Sequence, residues 1–265
     1  MNAPRRPASR GSGPSAGGRD GRTRGPQSEK PARTGPPKRK VSPTAAESAL
    51  SRQPWEVLLP MLEGVSDDPK GCIDRLRAYT RLLFEWNRGV SNLVSRHDEP
   101  RLVERHLSES LSPARLLKES GCKRFVDFGS GAGLPAAPLA IAGVGESWTL
   151  VESRRNKTLF LRKVKQDLNL KHFEVITSRL ETLIEEDREA IACDGFTSRA
   201  TMTIAPTLML AKDIVQSGGR AFLWKGSGYV DEMKEDAAAW GAFWEFDRAH
   251  EIREGYNVCA VFVRK

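Results

Sequence analysis

The chain has 265 residues, of which 39% are hydrophobic and 29% charged, and its formal net charge is +8. Residues 1–54 contain no aromatic side chain, and residues 1–50 hold eleven basic against three acidic residues, an excess that equals the net charge of the whole chain. The composition excludes a secretory signal and a membrane span, because no apolar run of the required length occurs. The four cysteines lie at least fifty residues apart, which argues against a zinc site or a disulfide framework and favours buried thiols in a cytoplasmic protein.

The N-terminal segment over 1–54 is predicted to be a disordered basic tail. It offers too little apolar surface to offset the conformational entropy that ordering would remove. A basic flexible arm fits a polyanionic partner such as RNA, and a passive extension is the alternative.

Residues 55–120 are predicted to form a helical cap. Apolar residues recur at steps of three and four along 72–87, which predicts an amphipathic helix. The apolar residues of this helix are Ile73, Leu76, Tyr79, Leu83 and Trp86. A second helical region is predicted over 101–118, interrupted at Pro113 and ended by Gly121.

Residues 121–265 are predicted to form one α/β domain, because strands alternate with helices as in a mostly parallel sheet covered on both faces. Strands are predicted near 124–128, 147–151, 173–177, 191–197, 219–225, 243–249 and 256–263. Helices are predicted near 134–142, 154–168, 179–189, 205–216 and 229–239. Only a loop separates the last two strands, so we expect them to form an antiparallel hairpin at one edge of a seven-stranded sheet.

A glycine turn follows the first strand and comprises Gly129, Gly131 and Gly133. Glycines let the backbone approach a ligand closely, and the helix that follows offers unpaired N–H groups. The second strand ends at Glu152, where a carboxylate can accept hydrogen bonds from both hydroxyls of a ribose. Together these features predict a site for a nucleoside cofactor, the alternative being a purely structural strand–helix–strand unit.

The spacing of the glycines distinguishes between cofactors. A dinucleotide turn has the pattern G-x-G-x-x-G, and here Leu134 occupies the position of its third glycine. The pattern G-x-G-x-G after Asp127 is typical of S-adenosylmethionine methyltransferases. Seven strands with an antiparallel ending match the class I architecture of these enzymes, a Rossmann-like fold. We therefore expect S-adenosyl-L-methionine as the cofactor.

Basic residues lie near the predicted site. Arg154, Arg155 and Lys157 fall in the first turn of the helix after the second strand, where the helix dipole disfavours positive charge. They are interpreted either as phosphate contacts or as a solvated face. Arg199 and Lys225 follow the fourth and fifth strands, whose carboxyl ends line the ligand crevice. Either cation could hold a carboxylate or an RNA phosphate, or form a surface ion pair.

Several motifs taken together resemble one family. In the sheet domain they are Asp127-Phe-Gly-Ser-Gly-Ala-Gly-Leu-Pro135, Val151-Glu-Ser, Ser178-Arg-Leu-Glu181, Ser198-Arg-Ala200 and Trp224-Lys-Gly226. In the cap they are Trp86-Asn87, Asn92-Leu93 and Arg105-His106-Leu107. Over about 72–226 this set resembles the ribosomal RNA small subunit methyltransferase G family, also called glucose-inhibited division protein B.

The resemblance implies methyl transfer from S-adenosylmethionine to N7 of a guanine in 16S (small-subunit) rRNA, as free rRNA or as a precursor of the small ribosomal subunit. We expect a monomer without a metal. The predicted cofactor-binding residues, from the glycine turn and from the resemblance, are Gly129, Gly131, Gly133, Leu134, Glu152, Leu180, Glu181 and Arg199. The RNA-binding candidates are Asn87, Asn92, Arg154, Arg155, Lys157 and Lys225. No catalytic residue is assigned, and the candidates for that role are Arg199, Lys225 and His106.

Three positions depart from the family pattern. Ala136 stands where a glycine is usual, Glu109 stands where an aspartate is usual, and 153–156 is more basic than expected. The implied chemistry needs no base, because N7 of neutral guanine has a free lone pair, so catalysis rests on positioning and exclusion of water. A small-molecule methyltransferase and a non-catalytic RNA-binding module on the same fold are the alternatives.

Overall fold

A computed structural model of the protein describes residues 43–90 and 92–265. The basic tail predicted over 1–54 lies outside these residues except for its last part. That part contains helix α1 (Pro43–Ser51), which was not predicted. Ala46 and Leu50 lie one helical turn apart on α1 and are buried. The Ala, Glu and Leu residues of α1 favour a helix, but a helix this short is marginal by itself and is stabilised by such tertiary packing.

The rest of the cap consists of short helical turns around one long helix. In chain order they are a 3-10 turn (Trp55–Leu58), α2 (Leu59–Leu62), α3 (Pro69–Gly89), a 3-10 turn (Glu99–Arg101), a π-helical turn (Leu102–Leu107), α4 (Ser108–Leu111) and α5 (Ala114–Glu119). The long helix α3 is the predicted amphipathic one, and the Asp68 side chain caps it by accepting a hydrogen bond from Gly71 N (2.9 Å). The second predicted helix is broken, because Pro113 has no N–H to donate and the segment before α4 winds as a π-turn.

The sheet has seven strands in the order β3-β2-β1-β4-β5-β7-β6. Their bounds are β1 (Arg124–Phe128), β2 (Ser147–Val151), β3 (Phe173–Ile176), β4 (Cys193–Arg199), β5 (Val215–Gly226), β6 (Trp244–Arg253) and β7 (Asn257–Arg264). The first five strands pair in parallel, and β7 is antiparallel to both β5 and β6. The predicted Rossmann-like α/β fold, with a mostly parallel sheet and an antiparallel hairpin at its edge, is confirmed.

Helices cover the two faces of the sheet. They are α6 (Ala136–Ile141), α7 (Arg155–Asp167), α8 (Leu180–Asp187), α9 (Ile204–Ala211), α10 (Tyr229–Lys234) and α11 (Ala237–Gly241). The helix predicted over 205–216 ends early, because Val215 already pairs with Cys193 as the start of β5. The helix predicted over 229–239 is split, because Asp236 adopts a φ of 47° between α10 and α11.

The cap shares a hydrophobic core with one face of the sheet. Tyr79 and Phe84 of α3 belong to the same buried cluster as Phe160 of α7 and Phe222 of β5. A second cluster lies on the other face, under α8 and α9. The cap is therefore packed onto one face of the sheet and can fix the loops at the carboxyl edge of the sheet.

Among the described residues, no helix is both long enough and apolar enough to cross a membrane.

Candidate functional site

The glycine turn after β1 is held against β2 by backbone hydrogen bonds. Gly129 N and Ser130 N donate to Val151 O (2.9 and 3.3 Å). Gly129 has a φ of +70°, and a Cβ there would lie 2.5 Å from Cγ2 of Thr201. A Cβ at Gly133 would lie 3.0 Å from Cδ2 of Leu161. The absence of a side chain at Gly129 thus leaves space between the turn and Thr201 in the β4–α9 loop. Its absence at Gly133 allows the turn to pack closely on α7.

Glu152 is fixed beside this turn at the end of β2. The residue is buried, and Oε2 accepts a hydrogen bond from Gly131 N (3.0 Å) while Oε1 accepts one from Arg154 N (2.8 Å). Lys157 Nζ lies 3.9 Å from Oε2. Each carboxylate oxygen has a second acceptor site. Glu152 is therefore oriented and can still accept hydrogen bonds from a ligand.

A pocket of about 270 Å³ opens at the carboxyl ends of β1, β2 and β3. It is lined by Phe128, Gly129, Val151, Glu152, Ser153, Ser178, Arg179, Leu180, Glu181, Thr201 and Met202. Four of the predicted cofactor-binding residues thus line one pocket, namely Gly129, Glu152, Leu180 and Glu181. Gly131, Gly133, Leu134 and Arg199 lie outside this lining. Thr201 and Met202 were not predicted, although they directly follow the Ser198-Arg-Ala200 motif.

The cap reaches the glycine turn through Tyr79. Its hydroxyl donates a hydrogen bond to Ala132 O (2.7 Å), and the side chain is fully buried. Burial raises the pKa of Tyr79 far above its ordinary value, so the hydroxyl stays protonated and can donate. The periodicity of α3 predicted the burial of Tyr79, but this contact with the turn was not predicted.

Asp127 precedes the turn with one carboxylate oxygen unpaired. Its Oδ1 accepts a hydrogen bond from Thr197 Oγ1 (2.7 Å), while Oδ2 is buried without a partner among the described residues. Burial raises the pKa of Asp127 to about 6. A buried, unpaired acceptor is costly to a fold unless a ligand satisfies it.

The Arg199 side chain contacts the cap and does not line the pocket beside Glu152. Its Nη2 lies 2.5 Å from Glu109 Oε2 and 3.0 Å from His106 Nδ1. Asn257 Nδ2 of β7 donates to Glu109 Oε1 (2.9 Å), which joins the network to the edge of the sheet. Burial and the charge of Arg199 lower the pKa of His106 to about 4, so its imidazole is neutral at pH 7 and Nδ1 accepts from the guanidinium.

Two of the RNA-binding candidates are committed to internal hydrogen bonds. Asn87 is buried, its Nδ2 donates to Val94 O and Glu99 Oε1 (3.0 and 2.6 Å), and its Oδ1 accepts from Leu93 N (2.6 Å). This amide shapes the loop after α3, which gives Asn87 a structural role that the sequence did not predict, because it depends on the conformation of that loop. Its role in RNA binding stays a prediction.

Lys225 is the second RNA-binding candidate whose side chain has internal partners. Its Nζ donates to Met202 O (2.6 Å) and Glu232 Oε2 (2.8 Å), and its side chain is mostly buried. Glu232 also accepts from Ile204 N (3.1 Å), so the pair ties α10 to the start of α9. Lys225 therefore supports the β4–α9 loop from behind, and its charge is neutralised there. The remaining candidates, Asn92, Arg154, Arg155 and Lys157, line a second depression.

Comparison with known proteins agrees with this arrangement. The family model described as rRNA small subunit methyltransferase G (GidB) matches residues 72–248, more than half of the chain. Among solved structures, a cofactor-bound protein from MTB, Rv0187, has a TM-score of 0.51 at 14% identity and covers 72% of this chain and 89% of its own; this likeness shows the fold.

Curated relatives named ribosomal RNA small subunit methyltransferase G are also similar to the chain. The protein of Stutzerimonas stutzeri is 35% identical over 60% of this chain and 71% of its own length. The protein of Ectopseudomonas mendocina is 34% identical over 68% of this chain and 79% of its own. The protein of Stenotrophomonas maltophilia is 36% identical over 62% and 74%, respectively. With the family model matching cap and sheet together, the chain belongs to the rRNA small subunit methyltransferase G family.

Proposed function

We propose that this protein transfers the methyl group of S-adenosylmethionine to N7 of a guanine in small-subunit rRNA. The observation that carries the proposal is the pocket between the glycine turn and Glu152, in a chain of a family named for rRNA methyltransferases. The curated relatives carry the name ribosomal RNA small subunit methyltransferase G, which supports rRNA of the small subunit as the substrate.

The residues present fit the cofactor. Glu152 is oriented by two backbone N–H groups and keeps acceptor sites for ribose hydroxyls. Gly129 leaves open the space that a Cβ would fill against Thr201. The unpaired Oδ2 of Asp127 suits the cationic amino group of a zwitterionic ligand. When bound, S-adenosylmethionine supplies a methyl group on a positively charged sulfur, which makes that methyl electrophilic.

The protein's own groups position the reactants and need not remove a proton. N7 of guanine attacks with a free lone pair, and positive charge then develops on the base. An unneutralised cation beside N7 would oppose this charge. Arg199 is neutralised by Glu109, and His106 is neutral with its Nδ1 occupied by the Arg199 guanidinium. The network at the end of β4 is thus suited to shape the site without acting as a base there.

The modified atom can be tested by chemical cleavage. Methylation at N7 fixes a positive charge on the guanine ring and makes that nucleotide labile to borohydride and aniline. RNA from cells that carry the gene should be cut at one guanine of the small-subunit rRNA, and RNA from a deletion strain should not. Cleavage that persists after deletion, or a methyl group mapped to an exocyclic nitrogen, a carbon or a ribose oxygen, would refute the proposal.

Cofactor binding can be tested separately with Glu152. The substitution Glu152→Ala removes both acceptor oxygens from the pocket, and calorimetry should show S-adenosylmethionine binding at least tenfold weaker, about 1.4 kcal/mol. Glu174→Ala on the neighbouring strand β3 is a suitable control, because that carboxylate is exposed and pairs only with Lys165 among the described residues. Equal affinities for the two variants would contradict the assignment of the pocket.

A further inference from the structure

A basic depression lies next to the glycine turn. Its volume is about 480 Å³, and its lining consists of Asn92, Arg154, Arg155, Asn156 and Lys157. This lining contains three cations and two amides but no carboxylate. We call this depression the α7 basic cleft. Such a set of donors matches the oxygens of a phosphate, which accept hydrogen bonds and carry negative charge.

The cations of α7 fall into two groups. In the second half of the helix, Lys163 pairs with Asp167 (2.5 Å) and Lys165 pairs with Glu174 (2.6 Å). Arg154 and Arg155 are exposed, and within residues 43–90 and 92–265 their side chains make no hydrogen bond or ion pair. Arg154 and Arg155 are therefore cations of this segment that no contact within the described residues explains.

The position of the two arginines is unfavourable for the isolated fold. Arg154 is the N-cap residue of α7 and makes no side-chain capping bond, and Arg155 is the first helical residue. Positive charge at a helix N-terminus is opposed by the helix dipole, whereas an anion is favoured there. A phosphate bound between the two arginines and the helix N-terminus would be attracted by both, and this attraction would offset the repulsion between the arginines and the helix dipole.

Lys157 connects the cleft to the proposed cofactor pocket. Its Nζ lies 3.9 Å from Glu152 Oε2 and 3.7 Å from the position that a Cβ of Gly131 would take. A nucleic acid backbone lying in the cleft would therefore pass beside the glycine turn. The RNA site proposed here would thus adjoin the cofactor pocket without overlapping the lining of that pocket, apart from the contact between Lys157 and Glu152.

We propose that the α7 basic cleft binds the phosphodiester backbone of the substrate RNA beside the target guanine, with Arg154 and Arg155 as the phosphate contacts. This inference rests on the proposed function. Lys157 remains near Glu152 and links the RNA site to the cofactor site. The segment 153–156 reads Ser-Arg-Arg-Asn, so two adjacent cations stand directly after Glu152.

The test compares two double variants of the full-length protein. Arg154→Gln/Arg155→Gln removes the proposed contacts, and Lys163→Gln/Lys165→Gln removes the same charge from the paired half of α7. Binding to an in vitro transcript of small-subunit rRNA is measured by fluorescence anisotropy over a series of salt concentrations. Each lost phosphate contact lowers the slope of log K against log salt by roughly 0.7 to 0.9. The arginine variant should lose about 1.4 to 1.8 of slope, and the lysine variant should keep the wild-type slope.

Two further readouts separate RNA binding from other effects. The arginine variant should bind S-adenosylmethionine within about twofold of wild type, and its melting temperature should not fall, since removing cations from a helix N-terminus relieves an unfavourable interaction. Equal slopes for the two double variants would overturn the inference. A large loss of cofactor affinity with an unchanged slope would also overturn it, by identifying the bound anion as the cofactor carboxylate.

Failure of the proposed function gives a different result. If the wild-type protein does not produce a cleavable N7-methylguanine in rRNA, the proposed function fails whatever the slopes are. If wild type methylates rRNA and the arginine variant does so with unchanged Michaelis constant for RNA, the α7 basic cleft is not the RNA contact while the proposed function stands.

Discussion

The Arg199 guanidinium at the end of β4 is paired with the Glu109 carboxylate of the cap, with Nη2 2.5 Å from Oε2. Both side chains are largely buried, and Glu109 also accepts a hydrogen bond from Asn257 at the start of β7. One carboxylate therefore joins the cap, the middle of the sheet and its antiparallel edge. Arg199 ends β4 and directly precedes the β4–α9 loop, which carries Thr201 beside Gly129.

We expect Glu109→Gln to destabilise the protein by about 3 kcal/mol, because it leaves the buried Arg199 guanidinium without its counter-charge. Urea denaturation of the two proteins measures this difference in free energy of unfolding. Glu119→Gln is a matched control, since the pair Arg115–Glu119 is exposed and similar in distance (2.8 Å). The control should change stability by less than about 1 kcal/mol. A result in which both variants lose the same small amount would contradict the structural role of Glu109.

We expect Arg199→Lys to retain little activity even though it keeps the charge. The guanidinium contacts His106 and Glu109 through Nη2 and donates to Ser110 Oγ through Nη1 (3.3 Å), and a single ammonium cannot reproduce this fork. Turnover with rRNA is the measurement, and cofactor affinity measured alongside shows whether the loss lies in binding. Full activity of the lysine variant would mean that charge alone is required at this position.

The chemistry at the ends of β1 and β2 could be predicted because neighbouring residues determine it. A strand, a glycine turn and an acid at the end of the next strand are all encoded within a few tens of residues, and the structure brings Gly129 and Glu152 to one pocket. The strand–helix alternation likewise predicted the parallel sheet. Local patterns therefore sufficed to predict the fold, and half of the residues predicted to bind the cofactor line one pocket.

The partners of the charged residues could not be predicted, because they come from distant parts of the chain. Arg199 is ninety residues from Glu109 in sequence, and whether a cation faces a ligand or a buried carboxylate depends on how the cap packs. The partners of Asn87 and Lys225 are nearer in sequence, at Val94, Glu99, Met202 and Glu232, but the contacts depend on loop conformations that no periodic pattern encodes. Helix α1 was not predicted although its Ala, Glu and Leu residues favour a helix, because the basic, Pro- and Gly-rich composition of the preceding residues dominates the segment 1–54. Burial of Ala46 and Leu50 stabilises this helix in the folded protein.

We expect Gly129→Ala to weaken S-adenosylmethionine binding at least tenfold, about 1.4 kcal/mol. The added methyl group would lie 2.5 Å from Cγ2 of Thr201, so the turn or the β4–α9 loop must shift. Gly143→Ala is the control, because Gly143 has a φ of +83° but no atom lies within 4 Å of its Cβ position. Both variants carry a similar backbone strain of about 1–2 kcal/mol, so calorimetry isolates the effect of the clash. Equal cofactor affinities would show that the space at Gly129 is not needed for binding.

Asp127 and His106 should give the stability of the protein opposite dependences on pH. Burial and the charge of Arg199 lower the pKa of His106 to about 4, and Asp98 and Arg105 are the other charged groups nearby. Between pH 6.5 and pH 4 the unfolded chain therefore binds a proton at this residue, whereas the folded protein does not. Stability falls over that range as the pH falls, by about 3 kcal/mol in total. Burial raises the pKa of Asp127 to about 6. As the pH falls from 6 to 4, the folded protein therefore binds a proton at a higher pH than the unfolded chain does, and the free energy of unfolding rises by about 3 kcal/mol.

These two contributions should nearly cancel in the wild-type protein, and single substitutions should separate them. In Asp127→Asn the His106 contribution remains, so the free energy of unfolding should decrease from pH 6.5 to pH 4.5 relative to wild type. In His106→Gln the Asp127 contribution remains, and the free energy of unfolding should increase over the same interval. Urea denaturation at pH 7, 5.5 and 4.5 compares the slopes, which do not depend on how much each substitution changes stability at pH 7. Parallel pH profiles for the two variants would mean that neither group is buried with the perturbed pKa described here. A profile altered only in Asp127→Asn would leave the imidazole of His106 exposed to solvent and would weaken the argument that it is neutral and bonded to Arg199.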